Sequence, residues 1–140
     1  MTVDILTIVY DAIKDDEVIA KYVGNRIKFN DYPDASSMAE PYIVLDDIDD
    51  PVPIAYIDGD ESAYSYIVQV DVFVKYSTAY KARLVRNELS NRIQRLLWEK
   101  LKMGNVTNFK PDYNRDLKLY SSTRRYETII YRDDLKSSLF

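Results

Sequence analysis

The sequence predicts an α+β fold, in which a mostly antiparallel sheet of four to six strands carries two α-helices packed on it. Apolar residues recur with helical spacing in two segments, one near the start of the chain and one in its second half. Elsewhere apolar and polar residues alternate, as they do in half-buried strands. With 140 residues, the chain fits a single domain, predicted over residues 1–132, followed by a loose tail over 133–140.

The first part of the chain predicts helical segments followed by a short strand. Residues 3–13 place five apolar side chains on one helical stripe, with Thr2 as a plausible N-cap. Residues 18–23 form a second apolar stretch, and it ends at Gly24, a residue type common just after helices. Residues 26–30 alternate between apolar and polar and therefore predict a strand.

Two loops and two strands are predicted next. Residues 31–40 are rich in turn-forming residues, and residues 41–45 (PYIVL) form a strand that begins with proline. Residues 46–61 predict an acidic loop, because two prolines and a glycine argue against regular structure throughout. Residues 63–75 give the clearest strand signal. One of its faces carries only Tyr and Val from position 64 to position 74, and this face is predicted to lie on the core.

A long helix is predicted over residues 79–101. Ser77 or Thr78 is its expected N-cap, and Gly104 its expected end. Its apolar stripe consists of Ala82, Val85, Leu89, Ile93 and Leu96, widened near the end by Leu97 and Trp98.

The end of the chain predicts further strands. Residues 105–109 form one of them, and residues 111–116 form a turn. Residues 117–120 and 124–132 form either one interrupted strand or two.

Charge divides the chain into two unlike halves. Residues 1–75 hold 16 acidic and 5 basic residues, whereas residues 76–140 hold 7 acidic and 14 basic ones. The net charges of −11 and +7 are hidden in the overall value of −4. The acid concentrates in residues 46–61, which contain seven carboxylates and no basic residue. Such asymmetry indicates an interaction surface, and a protein with one acidic and one basic region is suited to bind copies of itself head to tail.

The amino-acid composition argues against most kinds of enzyme. The chain has no His, which excludes the usual general base and His-dependent triads, and it has no Cys. No serine lies in a G-x-S-x-G motif, and the three glycines are too far apart for a phosphate-binding loop. We therefore expect that the protein is not an enzyme and that it binds no cofactor. The N-terminal sequence does not resemble a signal peptide, and no apolar run approaches the ~18 residues of a membrane span.

Two binding alternatives remain beside the interaction surface. The carboxylates of residues 46–61 are of the type that coordinates hard cations, but their spacing matches no EF-hand loop, which favours a solvated or interfacial acidic loop. The arginines of the long helix, together with Arg124, Arg125 and Tyr126, suggest a nucleic-acid surface. No recognition motif accompanies them, and basic residues on a core-packed helix usually form its solvated side.

The order of these segments resembles the tail terminator, or tail completion, proteins of long-tailed phages and prophages of Gram-positive bacteria. The resemblance spans roughly residues 3–132. It rests on the joint order of weakly specific motifs: Val23–Ile27, Pro41–Val44, the acidic cluster Asp46–Asp50, the strand Tyr64–Lys75, the helix carrying Trp98 and ending near Gly104, and Tyr120, Arg125–Glu127 and Tyr131–Arg132.

The resemblance implies a structural role at the head-proximal end of a virion tail assembled in the cytoplasm of a host bacterium. Such subunits form a homohexameric ring that docks on the last ring of the major tail tube protein and stops its polymerisation. The ring also presents a surface to a head-completion, or stopper, protein, and genomic DNA passes through its lumen without specific binding. Two alternatives are a neighbouring head–tail connector component and a non-phage binding module that uses its acidic loop.

The charge division suggests which residues meet across such a ring. Our hypothesis pairs acidic residues of one subunit with basic residues of the next. A rival hypothesis places the acidic loop at the lumen, where it repels DNA, and a third has the loop become ordered only on docking. The candidate interface residues are Asp46, Asp47, Asp49, Asp50, Asp58, Asp60, Glu61, Arg83, Arg86, Arg92, Arg95, Arg124 and Arg125.

Overall fold

A computed structural model describes residues 4–48, 52–57 and 60–131. In chain order, the elements are α1 (Ile5–Ile13), α2 (Glu17–Tyr22), β1 (Ile27–Phe29), a 3-10 turn (Ala35–Ser37), β2 (Tyr42–Asp47), β3 (Val52–Ile57), β4 (Asp60–Lys75), α3 (Ala82–Leu101), β5 (Gly104–Asn108), β6 (Asp112–Asn114) and β7 (Leu119–Tyr131). The predicted tail over 133–140 lies outside the described residues.

The described strands form one sheet in the order β1-β2-β4-β7-β5, with β3 also paired to β4 and β6 to β7. The pairing of β1 with β2 is parallel, and the other pairings are antiparallel. Helices α1 and α3 pack on this sheet, so the predicted α+β class is confirmed. There are seven strand segments rather than four to six, because the partners of β4 and β7 are each broken into two pieces.

Aspartates, and not the expected residues, begin the first two helices. Asp4 accepts hydrogen bonds from the backbone N–H groups of Leu6 and Thr7 at the start of α1, whereas Thr2 lies outside the described residues. Asp16 does the same for Val18 and Ile19 at the start of α2. The side-chain oxygens thus satisfy N–H groups that have no partner within the helix.

The acidic segment 46–61 is mainly strand, so its prediction as a loop was wrong. β2 continues to Asp47, β3 occupies residues 52–57, and β4 begins at Asp60. Pro53 is tolerated in β3 because β3 pairs only with β4 among the described strands and leaves its other edge without a ladder. Ile57 pairs with Asp60, so β3 and β4 form a hairpin whose two connecting residues lie outside the described part of the chain.

The core lies between the helices and one face of the sheet. The even-numbered residues of β4 from Tyr66 to Val74 belong to it, as predicted from their alternation, together with Tyr126 of β7. Apolar side chains of the helices cover this face, including Val9 and Ile13 of α1 and Leu89 of α3, each fully buried. We call the opposite face of the sheet the open face, and it carries the odd-numbered residues of β4 and β7.

The long helix starts and ends at residues other than those predicted. Ser77 accepts a hydrogen bond from the N–H of Ala79 in the preceding turn, so α3 begins only at Ala82, and its N-cap Lys81 makes no side-chain cap. Lys102, with a positive φ of 56°, ends the helix, whereas Gly104 begins β5. The predicted buried stripe is correct up to Leu97, but Trp98 is 54% exposed.

The last strands are more regular than predicted. β7 is one continuous strand of 13 residues from Leu119 to Tyr131. The predicted turn over 111–116 contains the short strand β6, which pairs with the start of β7. β5 and β6 pair with successive stretches of β7, and both are mostly exposed.

Candidate subunit interface

The order of the strands separates the two charged halves of the chain in space. β1 to β4 come from residues 27–75, and β5 to β7 come from residues 104–131. α1 packs on β2 and β4, whereas α3 reaches over β4, β7 and β5. The half with net charge −11 therefore forms one lateral side of the sheet, and much of the half with net charge +7 forms the other.

The segment that follows β1, together with the end of β2, forms an acidic edge at the first side of the sheet. We define this acidic edge as Phe29, Asp31, Tyr32, Asp34, Asp46 and Asp47. Asn30, in a left-handed conformation with φ 56°, ends β1, and its side-chain amide donates to both Asp46 and Asp47. Asp31, Asp34 and Asp47 are exposed, and so are the rings of Phe29 (37%) and Tyr32 (47%). The ring of Phe29 packs edge-to-face on Tyr10 of α1, whereas the Tyr32 hydroxyl reaches Asp71 on the open face, so the acidic edge exposes one aromatic ring beside each face of the sheet.

The other predicted acidic residues are further along the same side of the sheet or are not described. Asp60 and Glu61 are the first two residues of β4, beyond the point where β2 ends. Asp49, Asp50 and Asp58 lie outside the described residues. The structure therefore brings Asp46 and Asp47 together at one place, and it gives Asp60 and Glu61 a position on the β3–β4 hairpin.

Two of the four predicted arginines of α3 are engaged within the chain. Arg92 donates through Nε and Nη2 to Oδ1 of Asp16, at 2.9 and 2.6 Å, and this guanidinium holds the pKa of Asp16 below its usual range. Arg86 is buried, donates to the side-chain oxygen of Asn87 and lies 5.7 Å from the ring centre of Tyr120. Burial lowers the pKa of Arg86. These two side chains therefore make their contacts within the subunit.

The other two predicted arginines of α3 lie on its surface. Arg83 is exposed, and Arg95 forms an exposed ion pair with Glu99 one turn away, at 2.8 Å. An exposed pair of this kind contributes little to stability, typically less than about 1 kcal/mol. Arg83 and Arg95 are therefore accessible to a partner at small cost to the fold.

Arg124 and Arg125 point to opposite faces of the sheet, because adjacent strand residues alternate. Arg124 faces α3 and donates to the side-chain oxygens of Asn91 and Gln94, at 3.1 and 2.8 Å. Arg125 lies on the open face, donates to Oε1 of Gln69 and sits 5.0 Å from the ring centre of Phe109. The two neighbours cannot act as one basic patch.

A row of exposed residues on α3 was not predicted from the sequence. Leu84, Asn91 and Trp98 are spaced by seven residues, so they fall on one line along the helix, which we call the α3 outer line. Leu84 is 47% and Trp98 is 54% exposed, and Lys102 places its ammonium 5.2 Å from the indole centre. The seven-residue spacing could have indicated this line in the sequence. However, the consecutive residues Leu96, Leu97 and Trp98 made the buried apolar stripe of α3 appear wider than it is.

The open face carries a second feature that the sequence did not reveal, a buried carboxylate. Asp71 is 4% exposed and accepts hydrogen bonds from the hydroxyls of Tyr32 and Thr123 and from the side-chain amide of Gln69. Burial and the hydrogen bond to Asp71 raise the pKa of Tyr32. The network ties the acidic edge to the centre of the sheet, because Tyr32 follows β1 and Asp71 lies in β4.

The surface of this region presents charged side chains and partly exposed aromatic rings. Within the described ranges, no group of three or more potential metal-ligating side chains comes together. Several polar side chains of this surface are paired with one another in the ways described above, and the ammonium of Lys102 lies over the exposed ring of Trp98. Aromatic and arginine side chains are enriched at protein interfaces.

In comparisons with known proteins, no family model and no curated sequence matches the chain. Among the described helices, none combines the length and the apolar character needed to cross a bilayer.

Proposed function

We propose that the chain is the subunit of a ring at the head-proximal end of a phage tail, where it caps the tail tube and stops its polymerisation. In this role it joins the tail to a head-completion protein, and DNA passes through its lumen without specific binding. The proposal combines the resemblance in segment order with the physical requirements of a ring.

The observation that carries the proposal is the lateral separation of charge. A cyclic ring uses two different surfaces of each subunit, because each copy contacts its two neighbours with opposite sides. Here the sheet carries the acidic edge on one side and α3 with its exposed arginines on the other. Complementary charge on two such surfaces guides encounter and fixes orientation.

For at least two of the acidic residues, their position favours the hypothesis of a contact between subunits and not the hypothesis of a place at the lumen. Asp46 and Asp47 belong to the edge of the sheet that begins with β1, and their oxygens are held there by Asn30. Asp60 and Glu61 lie on the β3–β4 hairpin instead, which leaves them for a contact with DNA or with the tube.

Ring formation tests the proposal directly. We expect closed rings by negative-stain microscopy, with six copies if the resemblance holds. Reversing the two exposed arginines, Arg83→Glu with Arg95→Glu, should shift the protein to monomer in light scattering at moderate salt, because the contact then opposes like charges. The matched control is Lys14→Glu with Lys21→Glu, which changes the net charge equally but at the end of α1 and in α2. Equal loss in both variants would mean that only net charge matters.

Added to polymerising tail tube protein, the ring should also end tube growth and give tubes of shorter length. Rings that bind no tube, but bind a connector, would favour the neighbouring head–tail component. A strict monomer that binds neither would leave the non-phage binding module. Each result therefore selects one of the three candidate functions.

A further inference from the structure

The two apolar residues of the α3 outer line, Leu84 and Trp98, do not belong to the core of the described residues. Leu84 and Trp98 expose about half of their surface, although large apolar side chains gain about 1.5–3 kcal/mol each from full burial. Trp98 is the single tryptophan of the chain. Tryptophan and arginine are the residues that most often dominate binding energy at interfaces, and Arg95 lies one turn from Trp98.

The side chains around this line are already held in place. Arg124 holds Asn91 and Gln94 from the sheet below, Arg95 is held by Glu99, and Lys102 lies against the indole of Trp98. Binding usually loses side-chain freedom, and a surface fixed beforehand loses less of it. Binding at the α3 outer line should therefore cost less side-chain entropy than binding at a surface of freely moving side chains.

Charge and aromatic content identify its occupant. Arg83, Arg95 and Lys102 border the line, with Glu88 as an opposing charge and Glu99 already paired to Arg95. The acidic edge offers the complement, because it exposes Asp31, Asp34 and Asp47 together with parts of the rings of Phe29 and Tyr32, with Lys28 as its own opposing charge. Aromatic rings that meet across an interface gain about 0.5–1.5 kcal/mol beyond their buried area.

We propose that the α3 outer line binds the acidic edge of a second copy of the chain, with Trp98 at the centre of the contact. This inference deepens the ring proposed above and rests on it. In this inference, the basic side of the contact consists of Leu84, Arg95, Trp98 and Lys102. Arg86 and Arg92 make their contacts within the subunit and not across the interface.

Fluorescence of the single tryptophan tests this contact. As the protein concentration rises, the emission of Trp98 should move to shorter wavelength together with the increase in mass by light scattering, because the indole leaves water. Leu84→Glu keeps the reporter and should keep both the long-wavelength emission and the monomer mass. Tyr76→Glu is the control, since Tyr76 is similarly exposed at 58% but lies in the segment before α3.

Mixing two defective proteins tests the direction of the contact. The variant Leu84→Glu has an intact acidic edge, and the double variant Asp31→Lys with Asp47→Lys has an intact α3 outer line. Each should be monomeric alone, whereas an equal mixture should give a 1:1 dimer with about half of the tryptophan emission shifted, because only one intact contact is then available.

Three outcomes overturn the inference. Rings that form with unshifted Trp98 emission, or from the Leu84→Glu protein, would refute this contact and leave the ring function standing. A shifted emission in the Asp31→Lys, Asp47→Lys protein alone would mean that two α3 outer lines bind each other. A wild-type protein that stays monomeric at every concentration and does not affect tube growth would refute the ring function as well.

Discussion

The two sides of the sheet have the same pattern of strand pairing but differ in how deeply their strands are buried. On each side, one long continuous strand, β4 or β7, pairs with a partner that is broken into two segments. The segment β2 is buried over its first four residues, whereas β5 and β6 are mainly exposed. The first side thus contributes more of the core, and the second side contributes more of the accessible surface.

This difference shows that stability and binding are distributed unevenly across one sheet. Ile43 and Leu45 of β2 are fully buried in the core, and their truncation would leave a cavity there. Val106 of β5 and Tyr113 of β6 leave about half of their surface in water. Substitutions that compare the two sides should therefore give unlike effects on folding.

The largest difference is expected from truncating one apolar residue on each side. Leu45→Ala should lower the free energy of unfolding by about 2–5 kcal/mol, because it removes a fully buried side chain and leaves a cavity. Val106→Ala, at a residue 52% exposed, should change it by less than about 0.5 kcal/mol. Urea unfolding of both variants measures the difference. Similar losses would show that β5 is as well packed as β2.

A smaller effect is expected where the two sides are tied together on the open face. Asp71→Ala removes the acceptor shared by Tyr32, Gln69 and Thr123, and it should cost about 1–3 kcal/mol because these donors lose a buried partner. Asp31→Ala, at an exposed carboxylate of the acidic edge, is the control and should be nearly neutral. If both variants unfold at the same urea concentration, the network adds nothing to stability.

The smallest effect is expected from the ion pair that joins the two charged halves. Asp16→Asn keeps an N-cap for α2 but loses the charge facing Arg92, and it should cost about 1 kcal/mol near pH 7. Because folding lowers the pKa of Asp16, its contribution is complete above the unfolded pKa of about 3.9 and is lost as the pH falls through the folded value. The gap between variant and wild type should therefore close in acid.

The neighbouring substitution Asp15→Asn serves as the reference for this pH series. Asp15 is exposed in the turn before α2 and should show no comparable gap at any pH. A gap for Asp16→Asn that does not narrow as the pH falls below the unfolded pKa would mean that hydrogen-bond geometry, and not charge, accounts for the loss.

Local periodicity was sufficient to predict the fold class and the core face of β4. The alternation from Tyr66 to Val74 is strict because one face of the strand meets helices and the other meets polar groups. The hairpin of β3 and β4 had its own signal, since Asp58-Gly59 is a favoured two-residue connection between strands. The abundance of carboxylates and prolines around it obscured that signal.

The contacts that define the candidate interface lie beyond such local patterns. Asp16 and Arg92 are 76 positions apart, and no periodicity connects them. Arg86 and Arg92 look like Arg83 and Arg95 in the sequence. Only the packing of α3 against its neighbours shows that Arg86 is buried and that Arg92 reaches Asp16, whereas Arg83 and Arg95 are exposed. The exposure of Trp98 likewise depends on the direction in which α3 crosses the sheet.

The lateral arrangement of the two halves also has a consequence in time. During synthesis, β4 is complete 56 residues before the end of β7, its partner on the second side. At about 5–20 residues per second, this edge of β4 waits about 3–11 seconds for its partner. Unpaired strand edges promote aggregation between chains, and like charges oppose it. The net charge of −11 on residues 1–75 therefore makes nascent chains repel one another during this interval.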